Sequence, residues 1–341
     1  MLQQLMTAPG IIDFRKVSRP RPGPGQVVIK VMRIGICGSD IHVYHGTHPF
    51  THYPVTQGHE VSGEISEVGK DITNFHIGQS VTIQPQVVCG KCYLCRHGKY
   101  NLCEDLKVMG FQTTGAASEY FAIDANWVTP LLDGMTPDEG AMIEPLAVAV
   151  HAIRKGGGAQ DKKIVVLGAG TIGNLVAQAA KGMGAADVMI TDISDWRLEK
   201  AKECGISILI NSAKKDLEDE ILAFFGPDKA DLIVDCAGNN VTMGQAIQCA
   251  RKGTKIILVA VFEDLACIDL AVTGDRELEI KGSLMYREED YEEAIRLVNE
   301  GRVKLASLIS KHFDFLDFKK AYEFIEEHGE MAMKVIVDVQ N

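Results

Sequence analysis

Long apolar runs are missing from this chain: no stretch among its 341 residues approaches the roughly 20 apolar positions that cross a bilayer. The opening MLQQLMTAPG has neither the basic start nor the apolar stretch of an export signal, so no membrane association and a cytoplasmic location are expected. Positive charge is also in short supply. A net charge of −11 argues against nucleic acid as a partner, because phosphates need a positive surface to neutralise them. A small anionic ligand is not excluded, since a local pocket can be basic on an acidic protein. Short repeats and low-complexity segments are absent as well. What is there, 46% hydrophobic and 24% charged residues, is the balance of a soluble globular protein, and the length fits two domains with a core each.

Nine cysteines are too many to ignore and odd in number, and four of them fall between 89 and 103. The first half of the chain is punctuated by Gly and Pro and filled with short β-branched runs, QVVIKVMRI (26–34), EVSGEISEVG (60–69) and QSVTIQP (79–85). RPRPGPGQ (19–26) is too stiff and irregular for helix. This half reads as a β-rich domain with long loops. After about residue 150 apolar strands alternate with helical stretches, the pattern of a parallel sheet covered on both faces. From about 285 come two helices, EEDYEEAIRLVNEG and FKKAYEFIEE, and a terminal strand KVIVDV.

The α/β half carries G-x-G-x-x-G in Gly168, Gly170 and Gly173, directly after the strand KKIVVL and at the mouth of the helix TIGNLVAQAAKGMGA. Such glycines permit a tight turn, close approach of backbone to a pyrophosphate and close packing of helix on strand, while the helix N-terminus offers donors. Gly168, Gly170, Thr171, Ile172 and Gly173 are therefore candidate cofactor-binding residues. The next strand ends in Asp192, where a carboxylate accepts from the ribose 2′-hydroxyl of NAD and repels the 2′-phosphate of NADP. NAD is the expected cofactor. The competing reading is that Asp192 caps its turn and leaves Arg197 to meet a phosphate.

CGKCYLCRHGKYNLC places Cys89, Cys92, Cys95 and Cys103 so that four thiolates can close a tetrahedron, the pattern of a structural zinc. Buried thiols, two disulfides or an iron-sulfur cluster are alternatives, which a reducing compartment and the lack of a second redox motif disfavour. A second set is scattered: Cys37 in GICGSDIH, His59 and Glu60 in QGHEVSG, and Glu144 in IEPLAVAVHA. Glu144 precedes Pro145, so it is expected to be extended with the helix starting after it. Cys37, His59 and an acid from Glu60 or Glu144 make a mixed S, N, O set suited to a catalytic zinc with an exchangeable position.

With GICGSDIH, GHEVSGEISEVG, the four cysteines, EPLAVAVHA, VLGAGTIG and Asp192, the chain resembles the zinc-dependent medium-chain alcohol dehydrogenase family over essentially its full length, and within it the branch of sorbitol, polyol and sugar-acid dehydrogenases. The resemblance implies an α/β protein with a GroES-like β-barrel catalytic domain (1–148), a Rossmann doubly wound parallel-sheet NAD domain (149–284) and a C-terminal segment (285–341) completing the catalytic domain. It implies two zinc ions per chain, a reversible alcohol-to-ketone oxidation, and a homo-dimer or homo-tetramer. Ser39 would take the alcohol proton and His42 pass it on, with Asp40 orienting a zinc ligand. Glu60 and Glu144 both enter the expected catalytic and metal set.

The substrate is expected to be a small polar alcohol or ketone, a polyol, sugar phosphate or sugar acid. The histidines of VYHGTHPFTHYP (43–54), with Phe50 and Phe111, are candidate pocket walls. TTGAASEY and VAVFED depart from the more glycine-rich forms of relatives, which bears on pocket shape and nicotinamide contacts. L-threonine 3-dehydrogenase or butanediol-type chemistry is the alternative within the class, and a non-catalytic NAD-binding sensor the alternative outside it.

Overall fold

The β-branched run from residue 26 becomes an eleven-residue strand, Gln26–Ile36, with Val27, Val28, Ile29, Val31, Ile34 and Ile36 all buried. In the computed structural model, which describes residues 1–262 and 264–340, this strand is the spine of a seven-stranded sheet. Its first half pairs antiparallel with Tyr120–Asp124 and its second half with Lys334–Asp338. Along its other edge runs Glu60–Val68, followed by Ser80–Ile83 and Val128–Pro130. Register shifts at Val28/Ile29 and Val31/Arg33 let the long strand twist as bulges do. The apolar face of this sheet joins Met6, Phe75, Phe315, Phe318 and Tyr322 in one core.

Near-continuous apolar strands behave differently in the second half. Ile208–Asn211, Asp187–Asp192, Lys163–Leu167, Leu232–Asp235, Lys255–Leu258 and Glu279–Gly282 lie side by side in that spatial order, every pair parallel. In chain order this is 3-2-1-4-5-6, the dinucleotide-binding arrangement, whose strand order reverses beside the first strand.

The chain divides into Met1–Glu144 together with the chain from Ile309 onward, and Pro145–Leu308. The expected crossings at 148 and 285 therefore fall at 144 and 308. Residues 285–308 stay with the second unit because the Glu288–Asn299 helix buries Tyr291, Ala294, Leu297 and Val298 there. Its Asp290 accepts from His151 Nδ1 (2.7 Å), Arg154 Nη1 (2.9 Å) and the Arg287 amide (2.9 Å). Burial opposes charge on that carboxyl, but those donors win and hold its pKa below the ordinary value.

A further difference concerns Glu144. The helix spans Ile143–Lys155, so Glu144 lies inside its first turn rather than extended before it. Pro145 is tolerated because amides of a first turn have no intrahelical acceptor to lose. Of VAVFED, Glu263 lies outside the described residues. No helix among the described residues is long and apolar enough to cross a membrane.

Candidate active site and metal centres

Strand Gln26–Ile36 runs into helix Gly38–His45 with Cys37 as the N-cap. Asp40 closes the turn, its Oδ2 accepting from the Cys37 amide at 2.9 Å, and is itself buried. This local box fixes Cys37 at a helix N-terminus. Ser39 Oγ donates to Cys37 Sγ at 3.2 Å. Glu60 opens the neighbouring strand opposite Gly35 in the ladder, and His59 directly precedes it. A Cβ on Gly35 would sit 2.1 Å from Glu60 Oε2, so the absent side chain makes room for the carboxylate. The ligand atoms of Cys37, His59 and Glu60 all lie within 4.8 Å of one another.

The charges around this trio are those of a cation site. Burial lowers the His59 pKa, but Asp40, with Oδ1 3.5 Å from Nδ1, and Cys37 outweigh it and hold the imidazole well above its ordinary value. Asp40 is held in turn by Gln57 Nε2 (3.3 Å), and Gln57 Oε1 accepts from the buried Tyr322 hydroxyl at 2.6 Å. Burial first, then the charges of Asp40 and Cys37, push the Tyr322 hydroxyl pKa well up, so it stays a donor. Glu60 has a fixed cation: buried Lys334 donates to Oε1 (2.7 Å), Oε2 (2.6 Å) and the Ile36 carbonyl (3.1 Å). Burial lowers the Lys334 pKa and Glu60 more than restores it.

Glu144 is also buried and adds to the negative field on Lys334, but it is not among the three whose ligand atoms cluster. His42 lies on the Cys37 helix, its Nδ1 3.5 Å from Thr47 Oγ1. Phe111 stands between two imidazoles, stacked on His48 (centroids 4.8 Å, 12°) and tilted against His59 (4.9 Å, 50°). Phe50, by contrast, is 65% exposed.

The four clustered cysteines converge, their sulfur atoms mutually within 4.8 Å and none in a disulfide. Amides of Cys89, Cys92 and Cys95 donate to the sulfurs of Cys103, Cys89 and Cys92 at 3.3, 3.3 and 3.4 Å. Amides of Glu104 and Cys95 bring the Cys92 pKa down to about 6, whereas burial and neighbouring thiols raise Cys95 to about 12. Four sulfurs this close, once deprotonated, form a tetrahedral donor set of the kind that holds a structural zinc. A third group, Asp138, His312 and Asp338, is already served by Arg33, whose Nε is 3.0 Å from both carboxylates.

In the second unit Gly168 takes φ +95°, and a Cβ on Gly173 would sit 1.9 Å from the Gly168 carbonyl oxygen. Both glycines are therefore obligatory for the turn and for the close packing behind it. Gly170 caps helix Thr171–Gly182 and faces open space, and the first intrahelical bond is from Asn174, so the amides of Thr171, Ile172 and Gly173 stand at the open helix end. Asp192 Oδ2 accepts from the Ala169 amide (2.7 Å) and Oδ1 from the Ser194 amide (2.9 Å), with Arg197 Nη1 4.0 Å away. It caps its turn and also ties the glycine loop to the strand end. Beyond it Ile193, Ser212, Gly238, Asn239 and Val241 line a cavity of about 650 Å³.

A Rossmann-type sheet with its phosphate turn, a closed four-sulfur set and an open S, N, O set define the zinc-dependent dehydrogenase class. The comparisons are specific about the family. Residues 23–133 match the alcohol dehydrogenase GroES-like domain and residues 171–300 the zinc-binding dehydrogenase domain. The sorbitol dehydrogenase of Halalkalibacterium halodurans is 36% identical over 337 residues, 97% of each chain. The L-galactonate-5-dehydrogenase of Escherichia coli K12 is 33% identical over 304 residues, 89% of each. Among solved structures, an Escherichia coli CFT073 alcohol dehydrogenase complexed with NADH superposes with TM-score 0.92 at 31% identity, covering 99% of both chains. The Escherichia coli galactitol-1-phosphate dehydrogenase gives TM-score 0.92 at 29%, covering 99% of this chain and 100% of that one. The chain belongs to the zinc-dependent medium-chain alcohol dehydrogenase family and is an oxidoreductase acting on CH–OH groups.

The scattered residues Lys334, Gln57, Tyr322 and Gly35 escaped the sequence reading. A lysine opening the apolar strand KVIVDV was the one available signal for the first.

Proposed function

We propose that the chain is an NAD-dependent dehydrogenase that interconverts a secondary alcohol of a polyol, sugar acid or sugar phosphate with its ketone. The observation that carries the reading is the Cys37, His59, Glu60 cluster with the Ser39 hydroxyl on the Cys37 sulfur. Cys37 and His59 would hold a catalytic zinc, with Glu60 or Glu144 as the third protein group, and Cys89, Cys92, Cys95 and Cys103 a structural one. When bound, zinc supplies the Lewis acidity that makes an alcohol acidic enough to lose its proton near neutral pH, and NAD supplies the hydride acceptor.

The chain's own residues do the rest. Ser39 Oγ receives the substrate proton, and the imidazole of His42, one turn along the same helix, carries it onward. Asp40 keeps the His59 ring oriented, as the partner of a metal-ligating imidazole does. Gln57 and Tyr322 keep Asp40 in place. Lys334 pairs with both oxygens of Glu60 and fixes its position.

Asp192 supports NAD over NADP, since its charge at the strand end repels a 2′-phosphate. Its bonds to Ala169 and Ser194 use one acceptor direction on each oxygen, and a carboxylate offers about four. The turn-capping role and the ribose role are therefore compatible. A cytoplasmic homo-dimer or homo-tetramer belongs to the same proposal and rests on the family resemblance.

The test is a panel of NAD and NADP against hexitols, pentitols, aldonates, sugar phosphates, threonine and butanediol. NAD reduction with members of the first four groups is expected. Turnover confined to threonine would move the enzyme to another branch. No turnover together with one zinc per chain would point to a dinucleotide-binding sensor.

A further inference from the structure

His48 sits in the loop after the Cys37 helix and has no part in the chemistry above. Its ring stacks on Phe111, whose other neighbour is His59. Its Nδ1 accepts from the Phe50 amide at 3.4 Å and lies 2.8 Å from Thr51 Oγ1. A backbone amide can only donate, so Nδ1 is the acceptor nitrogen and the ring proton is on Nε2. Among the described residues no protein group pairs with Nε2. Burial, followed by the fields of His42 and His59 and against that of Asp40, lowers the pKa of the ring.

We infer that His48 is a specificity-determining residue that donates through Nε2–H to the hydroxyl beside the reacting carbon, so that the site selects alcohols carrying a neighbouring hydroxyl. The inference rests on the proposed dehydrogenase activity and deepens it. Phe111 fixes the plane of the ring, Phe50 and Thr51 fix its tautomer, and Nε2–H remains available to a substrate oxygen. A site that hydrogen-bonds a hydroxyl discriminates against the analogue lacking it, because that analogue forfeits the bond.

The experiment uses the zinc-loaded enzyme with NAD and two probes that differ by one hydroxyl, 2,3-butanediol and 2-butanol. The His48→Phe variant keeps an aromatic ring for stacking and removes the donor, while His48→Gln keeps a donor at comparable reach. The ratio of kcat/KM for diol over monohydric alcohol should fall about tenfold in His48→Phe, mostly through KM, and recover at least in part in His48→Gln; one lost hydrogen bond is worth about that factor. Diol binding to the enzyme–NADH complex, read by NADH fluorescence, should weaken by a similar factor. An unchanged ratio in His48→Phe, with both probes still turned over, overturns the inference alone, and so does an equal loss for both probes that His48→Gln fails to restore. A wild-type enzyme that oxidises neither probe and binds no diol overturns the inference, and the polyol panel then decides separately whether the dehydrogenase reading survives.

Discussion

Individual side chains at the site are set by charge compensation. Glu60 is 1% exposed and Lys334 is 3% exposed, so each is costly without the other. Replacing Lys334 by Met should destabilise the metal-free protein by about 3 kcal/mol or more, the usual cost of stranding a buried charge. Adding Glu60→Gln should recover much of that loss, because the stranded charge is then gone. Thermal unfolding of the single and double variants, after chelation, checks this; an additive loss in the double variant would contradict it. At the cofactor end, Asp192→Ala should weaken NAD more than NADP, by about tenfold in KM for a lost charge-assisted contact. Equal losses would remove the charge argument for NAD and leave Asp192 with its role of tying Ala169 and Ser194 together.

At the level of elements, close approach and buried pairing decide. Gly173→Ala drives a methyl into the Gly168 carbonyl, so helix Thr171–Gly182 must lift away from the strand before it. NADH affinity should fall by tenfold or more and the melting temperature with it, measured by fluorescence titration and thermal scan. Gly170→Ala is the control, because a Cβ there meets no protein atom. That variant should keep its melting temperature. The Glu288–Asn299 helix is pinned through Asp290, whose carboxyl pKa is depressed in the folded state. A depressed carboxyl stabilises above its unfolded value, near pH 4, and the contribution is lost as pH falls through the folded value. Asp290→Asn should therefore lower the urea midpoint at pH 7, and the gap from wild type should shrink below about pH 4. A gap independent of pH would mean that shape rather than charge holds the helix.

For the molecule as a whole the two proposed zinc sets should separate by phenotype. Cys37→Ser should abolish turnover and leave one zinc per chain in a folded protein. Cys95→Ser should lower the melting temperature first, because the 89–103 lobe has little core of its own: Tyr93 and Leu102 are exposed, while Cys103 and Asn101 are buried. Metal analysis beside thermal scans checks both, and exchanged phenotypes would reverse the assignment of the two sites. Chelation of wild type should remove activity before it removes structure.

What could be read in the chain was local. The glycine spacing and the cysteine spacing each involve residues within one turn or loop, where chain geometry alone brings them together. The parallel sheet was legible too, through its continuous apolar strands. Other features depend on contacts that no local pattern announces. Lys334 reaches Glu60 across 274 positions, and Tyr322 reaches Gln57 across 265, because the terminal strand and the helix before it return to the first sheet. The chain's crossing at 308 rather than 285 was likewise decided by packing, since the amphipathic Glu288–Asn299 helix buries its apolar face in the second unit.

The sequence by itself determined the class of fold, the glycine turn after the first strand of the parallel sheet and the clustering of Cys89, Cys92, Cys95 and Cys103, because short-range sterics and spacing are written in consecutive residues. Tertiary structure alone decided that Glu60 is neutralised by Lys334, that Glu144, in the first turn of its helix, falls outside the ligand cluster, and that Phe111 stands between His48 and His59. Those are outcomes of strand pairing and burial, in which distant segments compete for the same desolvated space.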